Sequence, residues 1–336
     1  MGGNALKSIK PIRLSDKQFF ELSDELIPKL KTLLGTDIEL IKSFKEKADF
    51  GDMDLLVLNN GNLPEIKNTL KSLNPYEIFC NGNVYSFDYK NFQIDLILTK
   101  PENWITSQIY FSYNDLGNLI GKLFHKFGLK YGFDGLKYVY RYNNNQRLGD
   151  ILISRKPEEI FSFIDLDWKR FKEGFNNLNE IFNYVISSKY FNSESYKLEN
   201  LNHTDKRRDK RRVNYNKFIS YINNNHVYKE YEHHKDKHKY IEMIDLYFPE
   251  AELQNNINKF LKIADERKLV KEKYNGHIIM EKFPELTGKR LGQIMDGFKD
   301  SIKKFNSYVL KYSTSDIMEK FQLYYNKIKK NDISIG

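Results

Sequence analysis

Residues 52–58 read Asp-Met-Asp-Leu-Leu-Val-Leu, two carboxylates at the head of an apolar run. A run this short and apolar predicts a buried strand, and the two-residue period of a strand puts Asp52 and Asp54 on one face. Carboxylates held side by side repel unless a positive charge sits between them. A hard divalent cation such as Mg²⁺, which takes oxygen ligands, is the usual answer. In residues 91–98, Asn-Phe-Gln-Ile-Asp-Leu-Ile-Leu, Asp95 alone interrupts a second apolar strand. A neighbouring strand would bring Asp95 beside the pair and give two ions a shared cage for in-line phosphoryl transfer. Gly51 permits a close approach to the strand.

Around this feature the first half alternates. Residues 14–34 place Phe19, Leu22, Leu26, Leu30, Leu33 and Leu34 at helical spacing behind Ser15, which predicts an amphipathic helix with a capping residue. Gly35 closes it, a short strand follows over 37–44, a helix over 64–72 and a hairpin over 83–98. The expected class is α+β, a mixed sheet flanked by helices. From 114 onward the pattern predicts helices at 114–127, 157–164, 167–173, 177–187, 205–223, 251–266, 288–310 and 315–329. The polar run Asn143-Asn144-Asn145-Gln146 suggests a boundary near 145–155. That divides the 336 residues, enough for about two cores, into domains 1–150 and 151–336.

Charge separates the halves as well. Residues 1–150 hold 19 basic and 18 acidic side chains, leaving 35 and 27 beyond, so eight of the nine net positive charges lie in the back half. The densest cluster is Lys206-Arg207-Arg208-Asp209-Lys210-Arg211-Arg212, followed by Tyr215, Phe218 and Tyr221. Cations interleaved with aromatics are the footprint of nucleic-acid contact, which nominates Arg207, Arg208, Arg211 and Arg212. The 40% hydrophobic content, with 24 Phe and 23 Tyr, excludes a disordered chain. The single cysteine, Cys80, excludes an intramolecular disulfide and suits a reducing compartment. No apolar stretch reaches the ~18 residues of a membrane span, and the first residues lack the apolar core of a signal peptide and the pattern for a myristoyl anchor. A cytoplasmic monomer without membrane contact is expected.

Ser43-Phe44 followed by Gly51-Asp52-Met53-Asp54 and an apolar run resembles the palm motif of the polymerase beta nucleotidyltransferase superfamily, and within it the family X DNA polymerases. The family reads Gly-Ser-Phe-Arg-Arg-Gly, four residues, then Gly-Asp-Met-Asp. Here Lys42 replaces the first Gly, while Glu46 and Lys47 replace the second Arg and second Gly. Tyr110-Phe111-Ser112-Tyr113-Asn114-Asp115-Leu116-Gly117-Asn118 is similar to the family's Tyr-Phe-Thr-Gly-Ser-Asp-x-x-Asn. The likeness covers about residues 38–135. Its last part, 122–135, also resembles a segment of virus- and phage-encoded nucleotidyltransferases, which would place the chain in a host cytoplasm. Residues 274–295 resemble the C-terminal part of CCA-adding enzymes and bacterial poly(A) polymerases. There Lys289 and Arg290 stand at a helix start suited to a phosphodiester backbone. Only about 37 residues precede the motif, so the family's lyase domain and its activity are not expected.

The resemblance implies a nucleotidyltransferase palm followed by a mainly helical, nucleic-acid-binding domain. Asp52, Asp54 and Asp95 would be the catalytic, metal-holding residues for two Mg²⁺ ions, with Mn²⁺ as a substitute. Lys42, Ser43, Lys45 and Gly51 would meet the triphosphate, Tyr110 and Phe111 the sugar, Asp115 and Asn118 the base, and Lys122 the template side. The implied reaction moves a nucleoside monophosphate from a nucleoside triphosphate to a 3′-hydroxyl of RNA or DNA and releases pyrophosphate. The alternatives are nucleotidylation of a protein or small molecule, and a nucleic-acid-binding protein with a degenerate palm.

Overall fold

A computed structural model describes residues 5–142, 146–227 and 231–333. A two-residue strand β1 (Leu14–Ser15) leads into helix α1 (Asp16–Leu34). The Ser15 hydroxyl accepts from the Gln18 amide while the Gln18 side chain accepts from the Ser15 N–H, a reciprocal cap. Gly35, at φ 63°, ends the helix in the left-handed conformation, its N–H on the Lys31 carbonyl. Strands β2 (Ile38–Leu40), β3 (Asp49–Phe50) and β4 (Asp52–Leu58), helix α2 (Ile66–Leu70), and strands β5 (Ile78–Asn81), β6 (Val84–Tyr89) and β7 (Phe92–Thr99) follow.

Five of these strands form one sheet in the order β2-β4-β7-β6-β5. The β4–β7 pair is parallel and the others antiparallel, so the sheet is mixed as expected. Alternation does the rest. Met53, Leu55 and Val57 of β4, Ile94 and Leu96 of β7, Phe87 of β6 and Ile38 of β2 share one buried core with Phe19, Leu22, Leu26 and Leu30 of α1. Each fully buried side chain of this kind contributes about 1.5–3 kcal/mol. A one-residue slip of β4 would turn three of them away from α1 and aim Asp52 and Asp54 into the core, which holds the register firmly.

Helices α3 (Trp104–Phe111) and α4 (Leu116–Lys126) come next, then strands β8 (Leu129–Gly132), β9 (Gly135–Tyr142) and β10 (Gln146–Ser154). The last three make a second sheet, ordered β10-β9-β8, where the sequence suggests no element, only a boundary near 145–155. The two-residue period is present: Leu136, Tyr138 and Tyr140 are buried on β9, Ile151 and Ile153 on β10. Residues 143–145 lie outside the described residues.

The remaining helices are α5 (Pro157–Phe163), α6 (Trp168–Glu173), α7 (Leu178–Ser187), α8 (His203–Asp209), α9 (Val213–Asn224), α10 (Ile241–Tyr247), α11 (Leu253–Lys273), α12 (Gly276–Lys282), α13 (Gly288–Asp300), α14 (Phe305–Lys311) and α15 (Thr314–Ile333), so this region is helical as expected. Two helices expected as single pieces are broken. The 205–223 segment divides where Arg212 turns extended, and 288–310 divides at Lys304, whose φ is 57°.

The chain forms two compact units, Met1–Val139 with Asp150–Leu253, and Tyr140–Gly149 with Gln254–Gly336. Residues 151–253, grouped from sequence with the back half, fall in the first unit. The second unit has its own core, built on Tyr274, Ile279, Phe298, Ile317 and Phe321. Among the described residues no helix is long and apolar enough to cross a membrane.

Candidate metal centre and its surroundings

The parallel register sets Asp54 directly opposite Asp95 and Asp52 opposite Gln93, on the sheet face turned away from α1. Each of the three aspartates offers a carboxylate oxygen, and these lie within 4.8 Å of one another. The cluster anticipated from the spacing is therefore assembled by strand pairing, and it could hold a metal ion. The electrostatics agree. Burial, with the charges of Asp52 and Asp95, pushes the Asp54 carboxyl up to about 7. Burial also raises Asp95, against the opposing hydrogen bonds from Ser86 and Gln93. Clustered carboxylates driven to hold protons are what a cation would relieve.

Gln93 orients this cluster, and the sequence reading passed over it. Its carbonyl oxygen accepts from the Ala5 N–H at 3.0 Å, which commits its NH₂ group to both oxygens of Asp95, each at 3.0 Å. Gln93 is buried, and Ser86, opposite Asp95 on β6, supports the other side. The two-residue period puts Gln93 on the face of Asp95, but a neutral amide carries no charge signal, and its fixing by the Ala5 N–H is visible only in the fold.

Lys47 was also missed as a candidate. Its ammonium lies over the Phe50 ring at 4.1 Å and is pushed below the usual lysine range by burial, with Asp52 and Asp54 partly holding it up. Lys47, in the 42–47 turn, thus feels both carboxylates. The turn is held from outside. The Tyr113 N–H donates to the Lys42 carbonyl at 2.7 Å, and the Lys45 and Glu46 N–H groups donate to the carbonyls of Phe175 and Asn176 at 2.9 and 2.8 Å. Those two amides are already used, so neither is available to a phosphate. Lys42 and Lys45 are exposed, Ser43 is half-buried, and Gly51 is buried between β3 and β4.

Tyr110 and Phe111 end α3. Tyr110 meets Phe111 and Tyr131 edge-on at 5.3 and 5.5 Å, and Phe111 stacks on Phe133 at 6.0 Å. Both rings remain half-buried. Between α3 and α4 the backbone of Tyr113 and Asn114 is left-handed, at φ 59° and 63°. This costs a tyrosine energy. The ring is wedged against Phe171 and Phe175, and its hydroxyl approaches Gly174 where no Cβ could be fitted without crowding. Gly117 is tighter still, since an added Cβ would stand 2.2 Å from the Tyr110 carbonyl oxygen. Gly117→Ala is expected to cost about 1–3 kcal/mol through forced separation of α3 and α4, measured by urea unfolding. An unchanged midpoint would mean that these helices part without cost.

The other nominated residues of α4 reach α8. Lys122 is buried with its ammonium 2.8 Å from Asp209 and 3.2 Å from Asp205. Arg208 bonds Asn118 at 3.0 Å and Asp209 at 2.9 Å, and Arg212 pairs with Asp115. Residues expected at the nucleotide and residues expected at a nucleic acid are thus joined to each other. The basic run is split in two: Arg208 and Arg212 serve this network, while Lys206, Arg207, Lys210 and Arg211 face solvent. Lys289 and Arg290 lie exposed at the start of α13 in the second unit.

No protein-family model matches the chain, and no curated protein matches it. Among solved structures, it is similar to Leishmania infantum polymerase beta in a ternary gap complex, at 13% identity and a TM-score of 0.32. The likeness covers 38% of this chain and 52% of that one, so the chain spans about half the length of the polymerase it matches.

Proposed function

We propose that the protein is a divalent-metal-dependent nucleotidyltransferase, moving a nucleoside monophosphate from a nucleoside triphosphate to the 3′-hydroxyl of a nucleic acid. The observation that carries this reading is the cluster of Asp52, Asp54 and Asp95, set face to face by the β4–β7 register with oxygens within 4.8 Å. One or two bound Mg²⁺ ions would supply charge neutralisation at the transferring phosphoryl group and a lowered pKa for the attacking hydroxyl. The carboxylates would hold the cations, and Asp95, raised by burial and hydrogen-bonded by Gln93, would take the hydroxyl proton. The acceptor oxygen forms its bond to the α-phosphorus as the bridging P–O bond to the β-phosphate breaks, and the pair leaves as pyrophosphate.

Lys42, Ser43, Lys45 and Lys47 would meet the triphosphate with side chains, which suits a turn whose amides at Lys45 and Glu46 are occupied. Tyr110 and Phe111 would lie at the sugar. Lys122, paired with two carboxylates, serves the α4–α8 contact, and Asp115 and Asn118 carry Arg212 and Arg208 to its edge. The test is incubation with α-labelled ribo- and deoxyribonucleoside triphosphates, Mg²⁺ or Mn²⁺, and a panel of RNA and DNA 3′ ends. Extension of an end with release of pyrophosphate is expected. Failure to extend any RNA or DNA end would sink the reading.

A further inference from the structure

Helices α7 and α9 lie side by side in the first unit, with the rings of Phe182 and Tyr221 5.4 Å apart. Between them runs an open groove of about 700 Å³, a size that suits a small organic group. Its apolar part includes Phe182, Tyr221 and Val213, and Val213 leaves 67% of its surface to water. Asn179 brings a side-chain amide, Asn216 brings its amide oxygen, its NH₂ group being held by the Lys210 and Arg212 carbonyls, Lys217 brings a cation, and no carboxylate lines the groove. Exposed Lys210 and Arg211 stand immediately before α9. The half-exposed Tyr221 ring and exposed Val213 for a ring, the Asn179 amide that both donates and accepts, and cations without an opposing acid match a nucleobase with its phosphates, while Phe182 backs Tyr221 from the buried side. The amides also distinguish this groove from a purely apolar docking face.

The groove lies beside the 42–49 segment that leads into β4. Asn177, which caps α7, donates its side-chain amide to Glu46 at 3.2 Å, and the Glu46 N–H bonds the Asn176 carbonyl. The start of α7 therefore touches the 42–47 turn. On the α9 side, the charge of Lys217 is felt by Asp49, three residues before Asp52.

We infer that the α7–α9 groove holds an unpaired base of a single-stranded nucleic acid, the stretch of the acceptor leading to its reacting 3′ end. This rests on the proposed nucleotidyl transfer for its purpose, and its test does not depend on turnover. A labelled RNA of about 12 nucleotides carrying one 5-iodouridine, its DNA counterpart and a blunt duplex are titrated against the full chain without triphosphate or divalent ion. Val213→Asp and Lys217→Glu, both at exposed positions, are compared with the wild type after melting curves establish that they fold. The expected result is a loss of about tenfold or more in single-strand affinity in each variant, the range of one stacked base. The duplex should be affected less, and the iodouridine should crosslink to α7 or α9. Wild-type single-strand affinity in both variants, a crosslink confined to other elements, or no single-strand binding at all would overturn it. Groove-dependent binding by a chain that transfers no nucleotide would uphold this inference while the reaction failed, and transfer with unaltered binding would do the reverse.

Discussion

Asp54→Asn is expected to abolish nucleotidyl transfer, lowering turnover by on the order of 10³-fold or more, because several kcal/mol of metal-borne charge stabilisation are lost at tenfold per 1.4 kcal/mol. The same variant has a signature that needs no turnover. The Asp54 carboxyl stands at about 7 in the folded chain, whereas an unfolded aspartate titrates near 3.9. Between those values the folded state keeps a proton that the unfolded chain releases. The resulting stabilisation is complete below the lower value and lost as pH rises through the upper one. The melting temperature without divalent ions should therefore fall between about pH 5 and pH 8 in the wild type and fall less in Asp54→Asn. Mg²⁺ or Mn²⁺, which competes with that proton, should raise the wild-type melting temperature more at the higher pH. Calorimetry in both buffers checks this. A variant with turnover within tenfold of wild type, or one with an unchanged pH slope, would remove Asp54 from the metal centre.

Asp209→Ala is expected to be the most damaging single change to stability. The Asp209 carboxylate is fully buried, with Lys122 at 2.8 Å, Arg208 at 2.9 Å and Arg212 at 3.6 Å. Burial alone would raise its pKa, and the hydrogen bonds from Arg208 and Lys122 outweigh that and hold it below the ordinary carboxylate range. Its contribution is present above the unfolded value and is lost as pH falls through the folded one. Removing one member of a buried ion cluster strands the others, here the Lys122 ammonium with Asp205 as its remaining carboxylate. The expected cost is about 3–5 kcal/mol. Arg207→Ala, one helix face away and exposed, should change stability by no more than about 0.5 kcal/mol. Urea unfolding of both variants decides it, and a loss below about 1 kcal/mol in Asp209→Ala would show that the network contributes little net stability.

The same network marks where reading the chain residue by residue stops. Lys206 to Arg212 is one basic run by composition, and on a single helix over 205–223 it cannot point to one side, so part of it faces solvent, but the period does not say which part. Folding sorts it by partner: Arg208 and Arg212 find carboxylates and amides from α4, and the helix breaks before α9. Sequence spacing cannot show this, since Asp115 and Arg212 are 97 positions apart. The second sheet was missed for a different reason. The polar, unpatterned run Asn143-Asn144-Asn145-Gln146 suggests a domain boundary, and polarity alone does not tell such a boundary from the stretch between two paired strands.

For the carboxylate centre the division is sharper. That Asp52 and Asp54 share a face, and that Asp95 stands alone in an otherwise apolar strand, follows from the two-residue period of a strand and needs no partner. The likeness of 43–54 to a nucleotidyltransferase palm rests on those same residues. Only the tertiary structure decided that β4 and β7 are neighbours, parallel, with Asp54 opposite Asp95. It also decided that Gln93 is turned by Ala5 to aim Asp95, and that Lys47 folds over Phe50 toward the acidic pair. The physical reason is range. Period and propensity act between residues a few positions apart, whereas strand pairing, burial and ion pairing are set by which distant segments cover the same apolar surface.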